Sequence, residues 1–359
     1  METRIYKIDD CKACFDEIFH AAEIIRQGGL VAFPTETVYG LGADAKNPKA
    51  AKKIYAAKGR PSDNPLIVHI AEFEDLLQIA DEVPSQAKVL AEKFWPGPLT
   101  MILKKNQNIP YETTGGLDTV AVRMPNHPVA LSLIRESGCL IAAPSANASG
   151  RPSPTLAGHV KEDLEGKIPL ILDGGEVGIG IESTILDLTE EIPMILRPGY
   201  ITEKMLESVI GTVRTDPGIL NRDSKTRPKA PGMKYRHYAP KADLIIVDGS
   251  REDVIEKINT LTAEMRAMDR KAGVIATDET KAYYHGDLVV SIGSREDEAV
   301  IAKHLYRILR EFDTANVDVI YSECFHTPNI GQAIMNRLLK AAGHQVLMVK
   351  GNQGETKIV

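Results

Sequence analysis

A chain of 359 residues is longer than a single hydrophobic core serves well, so two domains are expected. Its 43% apolar and 26% charged residues are those of an ordinary soluble globular protein. A formal net charge of −6 and a pI near 5.9 exclude a protein that coats nucleic acid through bulk charge. The N-terminus, Met1-Glu2-Thr3-Arg4, leads into no apolar signal region, and no apolar run is long enough to span a bilayer. A cytoplasmic protein with no membrane partner is therefore expected. Four cysteines make no disulfide scaffold. Cys11 and Cys14 form a C-x-x-C without a second pair to complete a zinc site, and Cys139 and Cys324 stand alone.

In chain order, Thr3 to Ile8 reads as a strand, and Cys14 to Gln27 as a helix stopped by Gly28-Gly29. The apolar run Leu30-Val31-Ala32-Phe33 reads as a buried strand that ends abruptly at Pro34-Thr35-Glu36-Thr37-Val38-Tyr39-Gly40-Leu41-Gly42, taken as a polar, glycine-bearing loop. Pro48 to Lys58 suits a helix and Pro65 to Ile70 a short strand. Leu99–Leu103, Thr119–Met124, Leu140–Ala143, Leu170–Leu172, Thr184–Leu188 and Met194–Leu196 read as further strands, with a helix over Pro128–Ser137. The pattern predicts an α/β domain with a large, twisted mixed sheet over residues 1–210. From 211 to 242 the chain is rich in Pro, Gly, Lys and Arg without periodicity, which predicts a linker or a functional lid. A second alternation over 243–359 predicts a small open α/β domain. Its elements are strand Leu244–Val247, helix 251–268, strands 273–277 and 288–292, helix 297–312, strand 318–321 and helix 330–342.

Hydroxyls and glycines at the end of a buried strand are how an α/β sheet presents a small polar ligand, and Thr35 and Thr37 stand there. Lys58-Gly59-Arg60-Pro61-Ser62-Asp63-Asn64-Pro65 places two cations around a glycine in a proline-stiffened turn. Arg60 offers a planar fork and Lys58 a point charge, a combination suited to phosphate, although a basic surface turn would read the same way. The following strand ends in His69. Trp95 enters a strand and is expected to pack beneath the site. Along Asp118–Pro125, Thr119, Ala121 and Arg123 share a face. A buried arginine there needs an anion or carbonyls to face, with a structural salt bridge as the competing reading. The run Ala142-Ala143-Pro144-Ser145-Ala146-Asn147-Ala148-Ser149-Gly150-Arg151-Pro152-Ser153-Pro154-Thr155 follows a strand with hydroxyls and tiny side chains, which predicts an anion-binding nest of backbone amides. Ser183 opens another strand and Arg197 closes one. Pro231-Gly232-Met233-Lys234-Tyr235-Arg236-His237-Tyr238-Ala239-Pro240 packs cations and tyrosines into the linker, as a lid over an anion or a nucleotide would.

No G-x-x-x-x-G-K-[ST] is present, nor a complete G-x-G-x-x-G after a strand, H-E-x-x-H or G-x-S-x-G. These absences remove P-loop, zincin and serine-hydrolase readings and weaken a dehydrogenase. What remains is hydroxyls, Arg, Lys, Asn and His, a site suited to stabilising anionic groups.

The PTETVYGL, KGRPxxNPL, APSAN and PGMKYRHY strings, in this order, resemble the YrdC-like family of threonylcarbamoyl-AMP synthases in its long, two-domain form. The resemblance covers essentially the whole chain. It implies a twisted mixed sheet around a large, positively lined cavity, followed by a small Rossmann-like domain. It also implies a nucleotidyltransferase that joins L-threonine, bicarbonate (or CO2) and ATP into L-threonylcarbamoyladenylate and releases pyrophosphate. A downstream transferase then modifies an adenosine beside the tRNA anticodon, and a weak tRNA contact is compatible with this. Carried onto matching positions, threonine would meet Thr35, Thr37, His69, Arg123, the backbone at Ala143, and Ser183. ATP would meet Lys58, Arg60, Asn64, Thr119, Ser145, Ser153, Arg197 and Tyr238, with Lys58 and Arg60 as the catalytic cations. Mg²⁺ is expected with the phosphates. An RNA-binding module without nucleotidyl transfer is the alternative, disfavoured by the acidic total and by hydroxyls where stacking aromatics would be needed. A carbamoyl-phosphate-handling enzyme related to hydrogenase maturation is the third reading, and it lacks its cysteine pattern here.

Overall fold

The structure is a computed structural model that describes residues 1–219 and 237–349 and the backbone of 357–358. The chain divides into two compact units. One comprises Met1–Ser149 and Ser153–Tyr235, the other Gly150–Pro152 and Arg236–Val359.

The first unit is built on an eleven-stranded sheet: β1 (Arg4–Lys7), β2 (Val31–Phe33), β3 (Gly40–Asp44), β4 (Ile67–His69), β5 (Leu99–Lys104), β6 (Thr119–Arg123), β7 (Ile141–Ala142), β8 (Leu170–Asp173), β9 (Thr184–Asp187), β10 (Met194–Arg197) and β11 (Arg214–Thr215). Their order is β1-β8-β2-β3-β7-β4-β6-β5-β9-β10-β11, with parallel and antiparallel pairs mixed as the sequence predicts. The helices are α1 (Phe15–Arg26), α2 (Pro48–Lys58), α3 (Ser85–Phe94), the single turn α4 (Tyr111–Thr114), α5 (Pro128–Ser137), α6 (Ala157–Leu164) and α7 (Glu203–Ile210).

Side-chain alternation along the strands decides what each face carries. One face, with Val68, Met101, Val120, Val122 and Leu186, meets α2, α3, α6 and α7 in the largest core cluster. On a second cluster, Val31, Phe33, Ile141 and Leu172 meet α1 and α5. A third is small: Ile67, Ile102, Ala121, Ile185 and Leu196 from β4, β5, β6, β9 and β10, with no helix residue among them. His69 follows Ile67 by two residues, Arg123 follows Ala121 by two, and Ser183 precedes Ile185 by two. The apolar patch thus carries a polar row at the strand ends.

Two expectations are corrected here. The glycine-bearing segment after Phe33 is no open loop, because Gly40–Asp44 turns straight back as β3 against β2. Its glycines answer crowding. A Cβ on Gly42 would lie 2.7 Å from the Phe33 ring and 2.8 Å from Ile141 Cγ2. The segment after 211 also contains structure: β11 lies parallel to β10, and Ile219 joins the main core. Pro231–Arg236 of the proposed lid motif falls outside the described residues.

The second unit holds β12 (Asp243–Asp248), β13 (Ala272–Ala276), β14 (Leu288–Ser291), β15 (Val319–Glu323), β16 (Val346–Met348) and β17 (Lys357–Ile358), in the order β14-β13-β15-β12-β16-β17. All pairs are parallel except β16–β17. With α8 (Arg251–Ala267), α9 (Glu298–Ala315) and α10 (Gly331–Ala341), this is the open α/β domain the sequence predicts. Among the described residues no helix is long and apolar enough to cross a membrane.

Gly42→Ala is expected to cost the first unit about 1–3 kcal/mol through overpacking. Urea unfolding followed by fluorescence of Trp95, the chain's one tryptophan, isolates that unit. An unchanged midpoint would contradict the crowding around β3.

Candidate functional site

Helix α2 begins where Asn47 accepts the amides of Lys49 and Ala50 and Pro48 occupies the first turn, and it ends at Gly59, whose φ is +63°. Its buried stripe is Ala50, Ala51, Ile54, Tyr55 and Lys58, so helical periodicity itself puts Lys58 inside. An ammonium there must find acceptors. Lys58 Nζ donates to Ser145 O at 2.5 Å, to Asn147 O and, at 3.4 Å, to Asn147 Oδ1, while its own carbonyl accepts Ser149 N–H at 2.8 Å. Lys58 thus braces the small-residue loop. Arg60 is half-buried, and its guanidinium donates to Asn64 O (3.3 Å) and Pro65 O (3.1 Å). Asn64 is buried, with Oδ1 lacking a hydrogen-bond partner.

The loop corrects the amide-nest expectation. Ala143 N–H goes to Ile67 O, Ala146 N–H to Tyr39 O and Ala148 N–H to Asp163 Oδ2, at 2.8, 2.8 and 3.0 Å. These amides are consumed by the fold, because the tiny side chains let neighbouring backbone come close. Ala143 Cβ would lie 3.4 Å from a Cβ placed on Gly40, and Gly40 bridges Ser145. What the backbone at Ala143 can still offer a ligand is its carbonyl. Ser145 Oγ donates to Asn147 Oδ1 at 2.5 Å.

Arg123 closes β6, in register with His69 at the end of β4. Two of the three nitrogens of its buried guanidinium are hydrogen-bonded and the third faces an acid. Nε donates to Gly97 O (3.2 Å), Nη1 to Thr37 Oγ1 (2.9 Å), and Nη2 lies 2.7 Å from Glu36 Oε1. That ion pair is out of hydrogen-bonding alignment, and Glu36 Oε2 is buried without a partner. The salt bridge weighed from sequence as a competitor is therefore present, with Glu36 as the acid. Donor counting fixes the hydroxyls. Thr35 Oγ1 donates to Val38 O (2.7 Å), so in its 2.9 Å contact with Thr37 it can only accept. Hydrogens point one way, from Arg123 to Thr37 to Thr35 to a carbonyl.

His69 is buried, and its pKa is pulled down to about 3, first by burial and then by the Arg123 charge. Nδ1 lies 3.2 Å from Ile67 O, and a carbonyl only accepts, so Nδ1 carries the proton and Nε2 keeps a lone pair. Phe33 meets the ring edge-on. Across the apolar patch, Arg197 clamps Ser183 through Nε to its carbonyl (3.0 Å) and Nη2 to its hydroxyl (3.1 Å), and that hydroxyl contacts Thr100 Oγ1 at 2.8 Å. Ser153 Oγ donates to the buried Glu182 at 2.6 Å. Thr119 opens β6 opposite Lys104 and is half-buried.

The first unit thus gathers Thr35, Thr37, His69 and Arg123 in one set, Ser183 and Arg197 in another, Lys58 and Ser145 in a third, and Arg60 and Asn64 in a fourth. Tyr238 belongs to the second unit, where it is buried against Tyr306 with ring centroids 5.0 Å apart. The sequence reading missed Glu36, Glu182 and Thr100. Only the need of buried Arg123 for a counter-charge pointed to an acid. Tyr39, in the same motif, is core: its hydroxyl donates to Gly175 O at 2.7 Å, and burial pushes its pKa up.

Comparison with known proteins sets this geometry in context. A family model for Sua5/YciO/YrdC proteins, described as "Telomere recombination", matches residues 23–199, and one described as "Threonylcarbamoyl-AMP synthase, C-terminal domain" matches 201–343. The chain is 52% identical to the threonylcarbamoyl-AMP synthase of Pyrococcus abyssi over 329 residues, 92% of this chain and 95% of that protein. It is also 52% identical to that of Bacillus subtilis over 332 residues, 92% and 94% of the two. The crystal structure of P. abyssi Sua5 complexed with L-threonine superposes with a TM-score of 0.91 at 49% identity, covering 98% of this chain and all of that one.

His69 makes stability depend on pH. The unfolded chain takes up the histidine proton near 6.5 and the folded one only near 3. Stability therefore falls as pH drops from about 6.5 towards 3, by at most about 1.4 kcal/mol per pH unit from this group. Urea unfolding of the first unit at pH 7 and pH 5, read from Trp95, should show a shallower pH slope in His69→Asn than in the wild type, whatever the substitution does to absolute stability. Equal slopes would remove the neutral, buried histidine.

Proposed function

This chain belongs to the Sua5/YciO/YrdC family, and from that membership we propose that it makes L-threonylcarbamoyladenylate from L-threonine, bicarbonate or CO2, and ATP, releasing pyrophosphate. The product serves the threonylcarbamoyl modification of an adenosine beside the tRNA anticodon, through a separate transferase. The names of the relatives favour this synthesis over the RNA-binding module.

The observation that carries the assignment of roles is the misaligned Arg123–Glu36 pair. An α-amino acid brings the complementary charges. Its carboxylate takes the Arg123 guanidinium, and its amino group meets the unpartnered Glu36 Oε2. Neutral His69 accepts at Nε2, while Thr35, Thr37, the Ala143 carbonyl and Ser183 complete the threonine pocket. The amine attacks CO2 as its neutral form, available because an α-amino group titrates near pH ~8. Proton loss leaves a carbamate anion. A carbamate oxygen then attacks the α-phosphorus of ATP, and pyrophosphate leaves.

Two anions must meet for that step, so the work is positioning and charge neutralisation. Arg60, Asn64, Thr119, Ser145, Ser153 and Arg197 are the proposed nucleotide contacts. Lys58 and Arg60 are the catalytic cations, and Tyr238 is the contact from a lid formed by 211–242, between a catalytic domain at 1–210 and a second domain at 243–359. Mg²⁺, which takes hard oxygen donors, fits the oxygen-only pair of Ser153 and Glu182. When bound, it spreads the phosphate charge.

Pyrophosphate release should require threonine, bicarbonate and ATP together, and release with any one left out would refute the synthesis. Arg60→Ala should weaken ATP binding about 10–100-fold, the worth of a charged hydrogen bond, and leave threonine affinity within about twofold. Calorimetric titration with each ligand separates the two, and unchanged ATP affinity would remove Arg60 from the phosphate site.

A further inference from the structure

We propose that the second unit carries a binding site for a zinc-class divalent ion, held by Asp248, Cys324 and His326. These three residues offer ligand atoms that all lie within 4.8 Å of one another. Cys324 Sγ is 3.0 Å from His326 Nε2, and the same nitrogen is 3.1 Å from Asp248 Oδ2.

The pattern of convergence separates this site from a nucleophile relay. In a cysteine–histidine–aspartate relay the thiol meets one imidazole nitrogen and the acid orients the other. Here sulfur and carboxylate both approach Nε2, so three donors surround one point. Ligands of a tetrahedral zinc ion sit about 3.3–3.6 Å apart, given zinc–sulfur and zinc–nitrogen bonds of about 2.3 and 2.0 Å. The two contacts at Nε2 need to open by about 0.2–0.6 Å to accept the ion.

The fold supplies the placement. Asp248 is the last residue of β12, and Cys324 directly follows β15, its parallel neighbour. Both stand at the carboxyl edge of the sheet, where open α/β domains bind ligands. Arg295 fixes the segment from outside, with Nη1 donating to Cys324 O at 2.9 Å and Nη2 pairing with Glu323. Met335 Sδ lies 3.8 Å from Cys324 Sγ and backs the thiol with a second polarisable sulfur. The cluster opens on a cavity of about 410 Å³, also lined by Arg251, Glu279, Tyr284 and Arg295. Three protein ligands facing a cavity leave the fourth position for water or a small anion, the open arrangement of a reactive rather than a purely structural zinc site. A thiolate with an imidazole selects zinc-class ions over Mg²⁺, which prefers oxygen alone.

The full-length protein, stripped of metal by chelator and dialysis, is titrated with Co²⁺ as the spectroscopic probe. The wild type should develop a thiolate-to-cobalt charge-transfer band that saturates at one equivalent. Zn²⁺ should abolish it, and excess Mg²⁺ should not. Cys324→Ser should lose the band, and His326→Ala, whose side chain is 71% exposed and removable without loss of packing, should weaken Co²⁺ binding at least about tenfold. The double variant Cys11→Ser/Cys14→Ser should keep the band. No band in the wild type, a band that survives Cys324→Ser, or one lost with Cys11 and Cys14 would overturn the site.

Discussion

A guanidinium taken out of water needs acceptors and a counter-charge, and Arg123 at the end of β6 imposes that need on the groups around it. Its hydrogens go to Gly97 O and Thr37 Oγ1, and its charge is opposed by Glu36. Thr35 gives its hydrogen to Val38 O, so Thr37, which accepts from the arginine, supplies the hydrogen of the Thr35–Thr37 contact. The same charge helps hold His69 neutral. The buried cation, the Val38 carbonyl and burial itself together set the proton positions of two hydroxyls and the protonation of an imidazole before any ligand arrives. Groups already oriented do not have to be reoriented at the moment of reaction, which is the useful part of a preorganised polar site.

The sheet explains why such a cation can sit where it does. Its end at β4, β6, β5, β9 and β10 carries only a thin apolar patch on this face, without a helix residue in the cluster. Polar side chains on the same pleats line the edge of that patch. The opposite face holds the main core and supplies the rigidity.

Much of this was legible in the sequence. Leu99–Lys104 and Thr119–Arg123 announce themselves by β-branched and apolar alternation, and α2 by its Pro48 start and Gly59 stop. The threonines after Phe33 and the arginine in Thr119–Arg123 were recognisable from their positions at strand ends as polar groups to be accounted for, and the structure brings them together. What the sequence hid were tertiary effects. Strand β3 was unreadable because its glycines, which usually signal turns, are dictated by the volumes of Phe33 and Ile141. Glu36 looks like a solvent-facing residue between two threonines until the burial of Arg123 is known. The small-residue run after Ala142 suggested outward amides, and only the packing of Tyr39, Ile67 and Asp163 shows that three of them turn inward. Asp248 and Cys324 are far apart in the chain, and only the parallel pairing of β12 with β15 makes them neighbours.

The bracing role of Lys58 has a chemical corollary. A carbamoyl-adenylate is a mixed anhydride, an electrophile that acylates any amine with a free electron pair. An ammonium that gives its hydrogens to Ser145 O, Asn147 O and Asn147 Oδ1 has no such pair to offer. Under the proposed synthesis, the arrangement that ties down the loop would also passivate the lysine, sparing a primary amine from acylation by the enzyme's own product.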